Sequence, residues 1–173
     1  MEGIIEENLK HWEAIGLNKI PVEVAEEMAD PKQNKNEEWR IWKAIPSTVT
    51  EAEIKAFEKL IGYELPDSYK RFLQYKHFYE LQIGECSFCE HPINTWKDAL
   101  SDMIFNGYPR EYLIDKGKVP FANWSDWGLL CFDTSHKVGN EYQIVLWDHE
   151  IADEWEFMAE NFEKLLTELN KNE

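Results

Sequence analysis

The densest grouping of chemically capable side chains is Cys86-Ser-Phe-Cys89-Glu-His91. Two thiolates and an imidazole at this spacing suit zinc, which structural sites hold with four such ligands. The segment offers three. Cys131 would have to converge from a distant strand, and no second Cys-x-x-Cys or His-x₃₋₅-His follows. Buried or edge-strand thiols account for the same residues, and the strand-to-helix setting of a redox pair is weak here. The histidines, His11, His77, His91, His136 and His149, are scattered. Asp133, Ser135 and His136 contain the residue types of a nucleophilic relay, but Ser135 falls in a polar turn with no oxyanion-hole signature. Asp148/Glu150 and Asp153/Glu154/Glu156 would serve acid–base hydrolysis only at a defined separation across a cleft. A solvated acidic face is the much commoner explanation. No catalytic set, metal-ligand set or cofactor is assigned, and the expectation is a binding protein rather than an enzyme.

The Trp124-Ser125-Asp126-Trp127-Gly128 turn points to binding. Aromatic rings beside a carboxylate in a loop are the combination that interface anchors favour, although both rings can equally lid a core. The acidic exit from Asp148 adds to it. The chain carries 34 Asp+Glu against 18 Lys+Arg, a net charge of −16, so nucleic acid and anionic membrane are disfavoured as partners. Residues 148–163 hold seven acids and no base. Such a face either aids solubility or attracts a basic protein. The candidate partner-binding residues are therefore Trp124, Asp126, Trp127, Asp148, Glu150, Asp153 and Glu154.

The elements that must position these residues follow from periodicity. An amphipathic helix is expected over residues 4–16, and Pro21 can open a second short helix carrying Val22, Ala25 and Met28. Residues 30–38 are polar and form the best linker. Residues 1–45 read as an N-terminal helical extension docked, through the Trp39, Ile41, Trp42 and Ile45 cluster, on a main domain of residues 46–173. That domain opens with a capping box at Thr50 and Glu53, a helix to Ile61 closed by Gly62, and a helix over 66–76. Residues 78–86 alternate as a strand, with 86–93 either its hairpin partner or an irregular segment. Thr95 can cap a helix running to Met103, and 109–115 is a further short helix. Strands are expected at 118–122, 128–133 and 141–147, the last two joined by a loop at 134–140. A closing helix is expected over 154–170, with Trp155, Met158, Phe162 and Leu165 as its stripe. Three cysteines, an acidic N-terminus without a basic leader and no long apolar run describe a reduced, cytoplasmic protein.

Several segments occur in a recognisable order: Thr50–Ile61, Leu65-Pro66-x-x-Tyr69-x-x-Phe72-Leu73, Val119-Pro120-Phe121-Ala122, Asp126-Trp127-Gly128, Leu130-Cys131-Phe132-Asp133-Thr134, Ile144–Asp148 and Ala159–Leu166. Over residues 46–170 the chain resembles the SUKH superfamily, the Smi/Knr-like domain. The resemblance implies an α+β fold, a twisted, mostly antiparallel sheet covered by helices. It further implies an immunity protein of a polymorphic toxin system, an antitoxin that binds a basic nuclease-type toxin domain and neutralises it by stoichiometric occlusion. The alternative is a regulatory scaffold without a toxin partner. The family brings no catalytic residues to carry over.

Overall fold

The computed structural model describes residues 1–34, 36–151 and 154–171. The chain begins with α1 (Glu2–Ala14), whose Ile5 and Leu9, one turn apart, are buried in the main core. β1 (Lys19–Ile20) pairs antiparallel with β2 (Arg40–Ile41). The helix expected from Pro21 does not form. Of its proposed stripe only Met28 is buried and Val22 is exposed, so a helix there would have had no apolar face to cover. Instead the segment is tied down by tertiary bonds: the Ala25 N–H donates to the Tyr79 hydroxyl at 2.8 Å, and Ala29 forms an isolated bridge with Trp42.

β3 (Ile45–Pro46) leads into α2 (Glu51–Ile61). Here the capping box is complete. The Glu53 N–H donates to Thr50 Oγ1 at 3.2 Å, the Thr50 N–H donates to Glu53 Oε2 at 3.0 Å, and Gly62 terminates the helix at φ 79°. α3 (Asp67–Leu73) buries Tyr69, Phe72 and Leu73. β4 (Lys76–His77) pairs with β3. The strand expected over 78–86 is confined to β5 (Gln82–Ile83), and its hairpin partner is β6 (Cys86–Phe88), turned at Gly84 with φ 56°. α4 (Trp96–Phe105) starts after Thr95, but without a side-chain capping bond from it. Two short 3₁₀ turns (Arg110–Tyr112 and Ile114–Lys116) stand where a short helix was expected.

The remaining strands are β7 (Lys118–Trp124), β8 (Gly128–Val138), β9 (Glu141–Asp148) and β10 (Trp155–Ala159), followed by α5 (Phe162–Leu169). With β5 and β6 they form one six-stranded antiparallel sheet in the order β10-β9-β8-β7-β6-β5. The fold is α+β. β8 runs on to Val138 through a bulge between Asp133 and Lys137, where a loop from 134 was expected. The first part of the expected closing helix is β10. Trp155, Met158 and Phe162 satisfy helical spacing, but the Asn161 side chain accepts from the Lys164 N–H at 3.0 Å and starts the helix there.

Alternation along the strands gives the sheet two apolar faces. Phe121, Leu130, Phe132, Ile144 and Leu146 belong to the main core together with α2, α3 and α5 residues. Phe121 stacks on Phe132 at 4.3 Å between centroids, and Tyr69 meets Phe132 edge-on at 5.0 Å. Leu129, Cys131, Val145 and Trp147 face the other way and pack with Leu113, Tyr108, Tyr112 and Trp155. The tip of the β8–β9 hairpin is clamped to the start of α3. Glu141 accepts from the Ser68 N–H at 2.9 Å and from its hydroxyl at 2.5 Å, and the Asn140 carbonyl accepts from the Asp67 N–H at 3.1 Å.

Candidate partner-binding surface

The β7–β8 loop is Ser125-Asp126-Trp127. Ser125 adopts φ 49°, and its N–H donates to the Glu85 carbonyl at 2.8 Å, which fixes the loop against the β5–β6 hairpin. Gly128 follows it, where a Cβ would lie 2.8 Å from Leu146 Cδ1, the movable end of a side chain, and 3.2 Å from the Trp147 carbonyl, so glycine relieves crowding where β8 meets β9. The loop divides its two tryptophans. Trp124 is half-buried and packs on the main core. Trp127 is 37% exposed, and its carbonyl accepts from the His149 N–H at 3.3 Å.

Trp127, Asp148 and Glu154 line one recess of about 210 Å³, with Leu146, Ile151, Trp155 and Glu156 completing it. Asp126 lies exposed in the adjacent loop, and Glu150 lies exposed in the β9–β10 turn. Asp148 Oδ1 accepts from the Glu150 N–H at 2.8 Å at the start of that turn. Asp153 lies outside the described residues. The recess thus has an apolar wall of Trp127, Leu146 and Ile151 and a carboxylate rim, an arrangement suited to an apolar side chain flanked by cations. Leu146 and Glu156 were not among the residues expected from the sequence. They arrive through register, because Glu156 pairs with Leu146 across β10 and β9.

The other sequence candidates resolve into structural roles. Cys86 is buried, and burial pushes its thiol well up. Cys89 is raised to about 12, chiefly by burial. His91 Nε2 lies 2.8 Å from the Leu73 carbonyl, and its ring stacks on His77 at 4.9 Å between centroids. Among the described residues no group of three or more His, Cys, Asp or Glu side chains is placed to hold a metal ion.

Asp133, Ser135 and His136 do converge, at the β8 bulge. Asp133 Oδ1 accepts from Lys118 Nζ at 2.7 Å and from the Ser135 hydroxyl at 2.6 Å, while Oδ2 meets His136 Nδ1 at 2.8 Å. The same Nδ1 also faces Ser135 Oγ at 3.1 Å. A relay needs the carboxylate on one ring nitrogen and the hydroxyl on the other. Here one nitrogen meets both, and the hydroxyl proton is already given to Asp133. The cluster anchors the bulge. Although burial opposes it, hydrogen bonds from Lys118, Ser135 and His136 hold the Asp133 carboxyl down at about 2.

The model of the SMI1/KNR4 family (SUKH-1) matches residues 48–168. The chain belongs to the SUKH-1 family. Its match spans every strand of the six-stranded sheet, α2, α3 and α4 whole and all but the last residue of α5, and the candidate surface lies wholly within it. SUKH-1 is a family of immunity-protein type and generally non-catalytic, which implies a protein partner. A search of curated proteins returned no match. Among the described residues of this SUKH-1 chain, no helix is long and apolar enough to cross a membrane.

Proposed function

We propose that the chain is a cytoplasmic immunity protein that binds a cognate toxin domain and neutralises it by stoichiometric occlusion, and that the toxin is a basic nuclease. The observation that carries this reading is the recess of Trp127, Asp148 and Glu154, an apolar wall beneath an acidic rim on a chain of this family. A nuclease presents cations toward phosphate. Carboxylates at the rim compete for those cations, and the exposed Trp127 ring supplies short-range affinity. The protein acts by covering a surface, so no residue of it needs to do chemistry. Residues 1–45 serve as an extension docked on the family domain, with Glu6 bonded to Tyr75 and Lys76 across the junction.

The test is co-expression with toxin domains encoded beside it. Relief of toxicity by the intact chain, weakened by Trp127→Ala while the fold is retained, is the expected result. No complex and no relief with any neighbouring toxin would sink the proposal and leave a regulatory interaction module in its place.

A further inference from the structure

β10 is an outer strand of the six-stranded sheet, and the opposite edge, β5, is only two residues long. The hydrogen-bond phase shows which groups of β10 are free. The His149 N–H donates to the Trp127 carbonyl, so by antiparallel alternation Val145 and Trp147 direct their backbone groups to β8 and Leu146 directs its own to β10. Glu156, the partner of Leu146, therefore points its N–H and C=O at β9. Trp155 and Phe157 turn theirs outward. Among the described residues no backbone bond outside the sheet takes up those groups.

A recess flanks this edge on each side. One is the Trp127 recess, which includes Glu154 and Glu156. The other, about 770 Å³, lies between Phe157 and the β8–β9 hairpin, and contains Val138, Gln143 and Glu160. Phe157 is 55% exposed and Val138 83%. A strand laid along β10 would send alternate side chains to opposite faces, one set toward each recess.

We infer that β10 accepts an extended segment of the partner as an added strand, a segment in which Lys or Arg alternates with apolar residues. The inference rests on the protein-binding reading above and names how that binding is made. Charge selects the occupant. Glu154, Glu156 and Glu160 lie along the edge, so a second copy would set like charges opposite one another, which destabilises cross-strand pairs. A basic strand reverses that sign. The same carboxylates that keep the edge from self-pairing thus admit a cationic strand.

The probe is the capped peptide Lys-Val-Arg-Val-Lys-Val, fluorescein-labelled, titrated against the full chain by anisotropy at low salt and at about 0.3 M salt. Two N-methylated forms accompany it, one methylated at the valines and one at the basic residues. Binding is expected, with one methylated form weakened at least tenfold and the other unchanged. Hydrogen exchange at the Trp155 and Phe157 amides should slow on binding. E156K should weaken binding at least tenfold at low salt and less at high salt. No binding at low salt, equal effects of the two methylated forms, or unchanged exchange at both amides overturns the inference. Relief of toxicity with both amides still unprotected in the toxin complex would leave the immunity reading standing and remove strand addition. Peptide protection without relief by any neighbouring toxin would do the reverse.

Discussion

His91 should make stability fall with acid well above the carboxylate range, and His91→Gln should remove that fall. His91 is buried, its backbone pairs reciprocally with Phe78, and its Nε2–H donates to the Leu73 carbonyl. His77 lies against it and is neutral in this arrangement. Its Nε2 accepts the Thr48 N–H at 3.0 Å, so its Nδ1–H is the donor to the His91 carbonyl at 3.1 Å. Burial first, and second the charge that His77 takes on once acid protonates it, push His91 down from 6.5 to about 3. The unfolded chain therefore binds a proton between about pH 6.5 and 3 that the folded chain refuses. Stability is full above pH 6.5 and is lost as pH falls through that window. Each pH unit is worth about 1.4 kcal/mol, so the loss between pH 7.5 and 5 is about 2 kcal/mol from this residue. Glutamine keeps a donor for the Leu73 carbonyl and does not titrate. Urea unfolding at both pH values, compared between wild type and His91→Gln, reads the His91 term together with its coupling to the adjoining His77, because groups farther away cancel in the difference. NMR of the His91 ring should show no titration above pH 5. An equal pH-dependent loss in both proteins, or a ring titrating near 6.5, refutes the reasoning.

Asp133→Asn should destabilise by about 3–5 kcal/mol in denaturant unfolding at pH 7, because it leaves the buried Lys118 ammonium without its anion. The pH dependence of this pair lies lower than that of His91. Asp133 is depressed, so its contribution is present above about pH 3.8 and disappears as pH falls toward 2. Neutralising Asp148 and Glu154 together as Asn and Gln should slow association with a basic partner by about tenfold at low salt, with little change at high salt, read by stopped-flow. A purely structural role for these carboxylates would instead lower thermal stability and leave the salt slope unchanged.

Much of the helical layer was readable from local chemistry. The Thr50–Glu53 box and Gly62 mark both ends of α2, and the Tyr69, Phe72 and Leu73 positions assign the buried side of α3. These signals lie within a few residues of what they determine. β10 is hidden from a periodicity reading because Trp155, Met158 and Phe162 fit a helical period while the strand is short enough to show little alternation. Its pairing with β9 decided the matter, and the cap at Asn161 was the local sign. The candidate surface divides along the same line. Trp127 and Asp148 were recognisable as loop and strand-end residues, whereas Glu154 was expected at the start of a helix. Leu146, Glu156, Phe157 and Val138 depend on register and strand order, which a single chain's pattern leaves open. The His77–His91 stack depends on the Phe78–His91 bridge, so five scattered histidines gave no hint of it.

The position of the surface follows from how the rest of the sheet is used. One face is filled by the aromatic cluster beneath α2, α3 and α5, and the other is closed by Leu113, Tyr108, Tyr112 and Trp155. Recognition through either face would require uncovering apolar core. The edge makes no such demand, and its supports are already fixed. Glu141 ties the β8–β9 hairpin to α3, Asp148 holds the Glu150 N–H just past the end of β9, and Asn161 caps the helix that follows β10. A partner docking at β10 would meet a strand paired to β9 on one side and followed by a capped helix, which limits the ordering entropy that opposes association. That favours affinity set by the quality of the local contacts at Trp127 and Phe157 more than by total area. The acidic rim would then govern how fast a cationic partner arrives and which partners are refused.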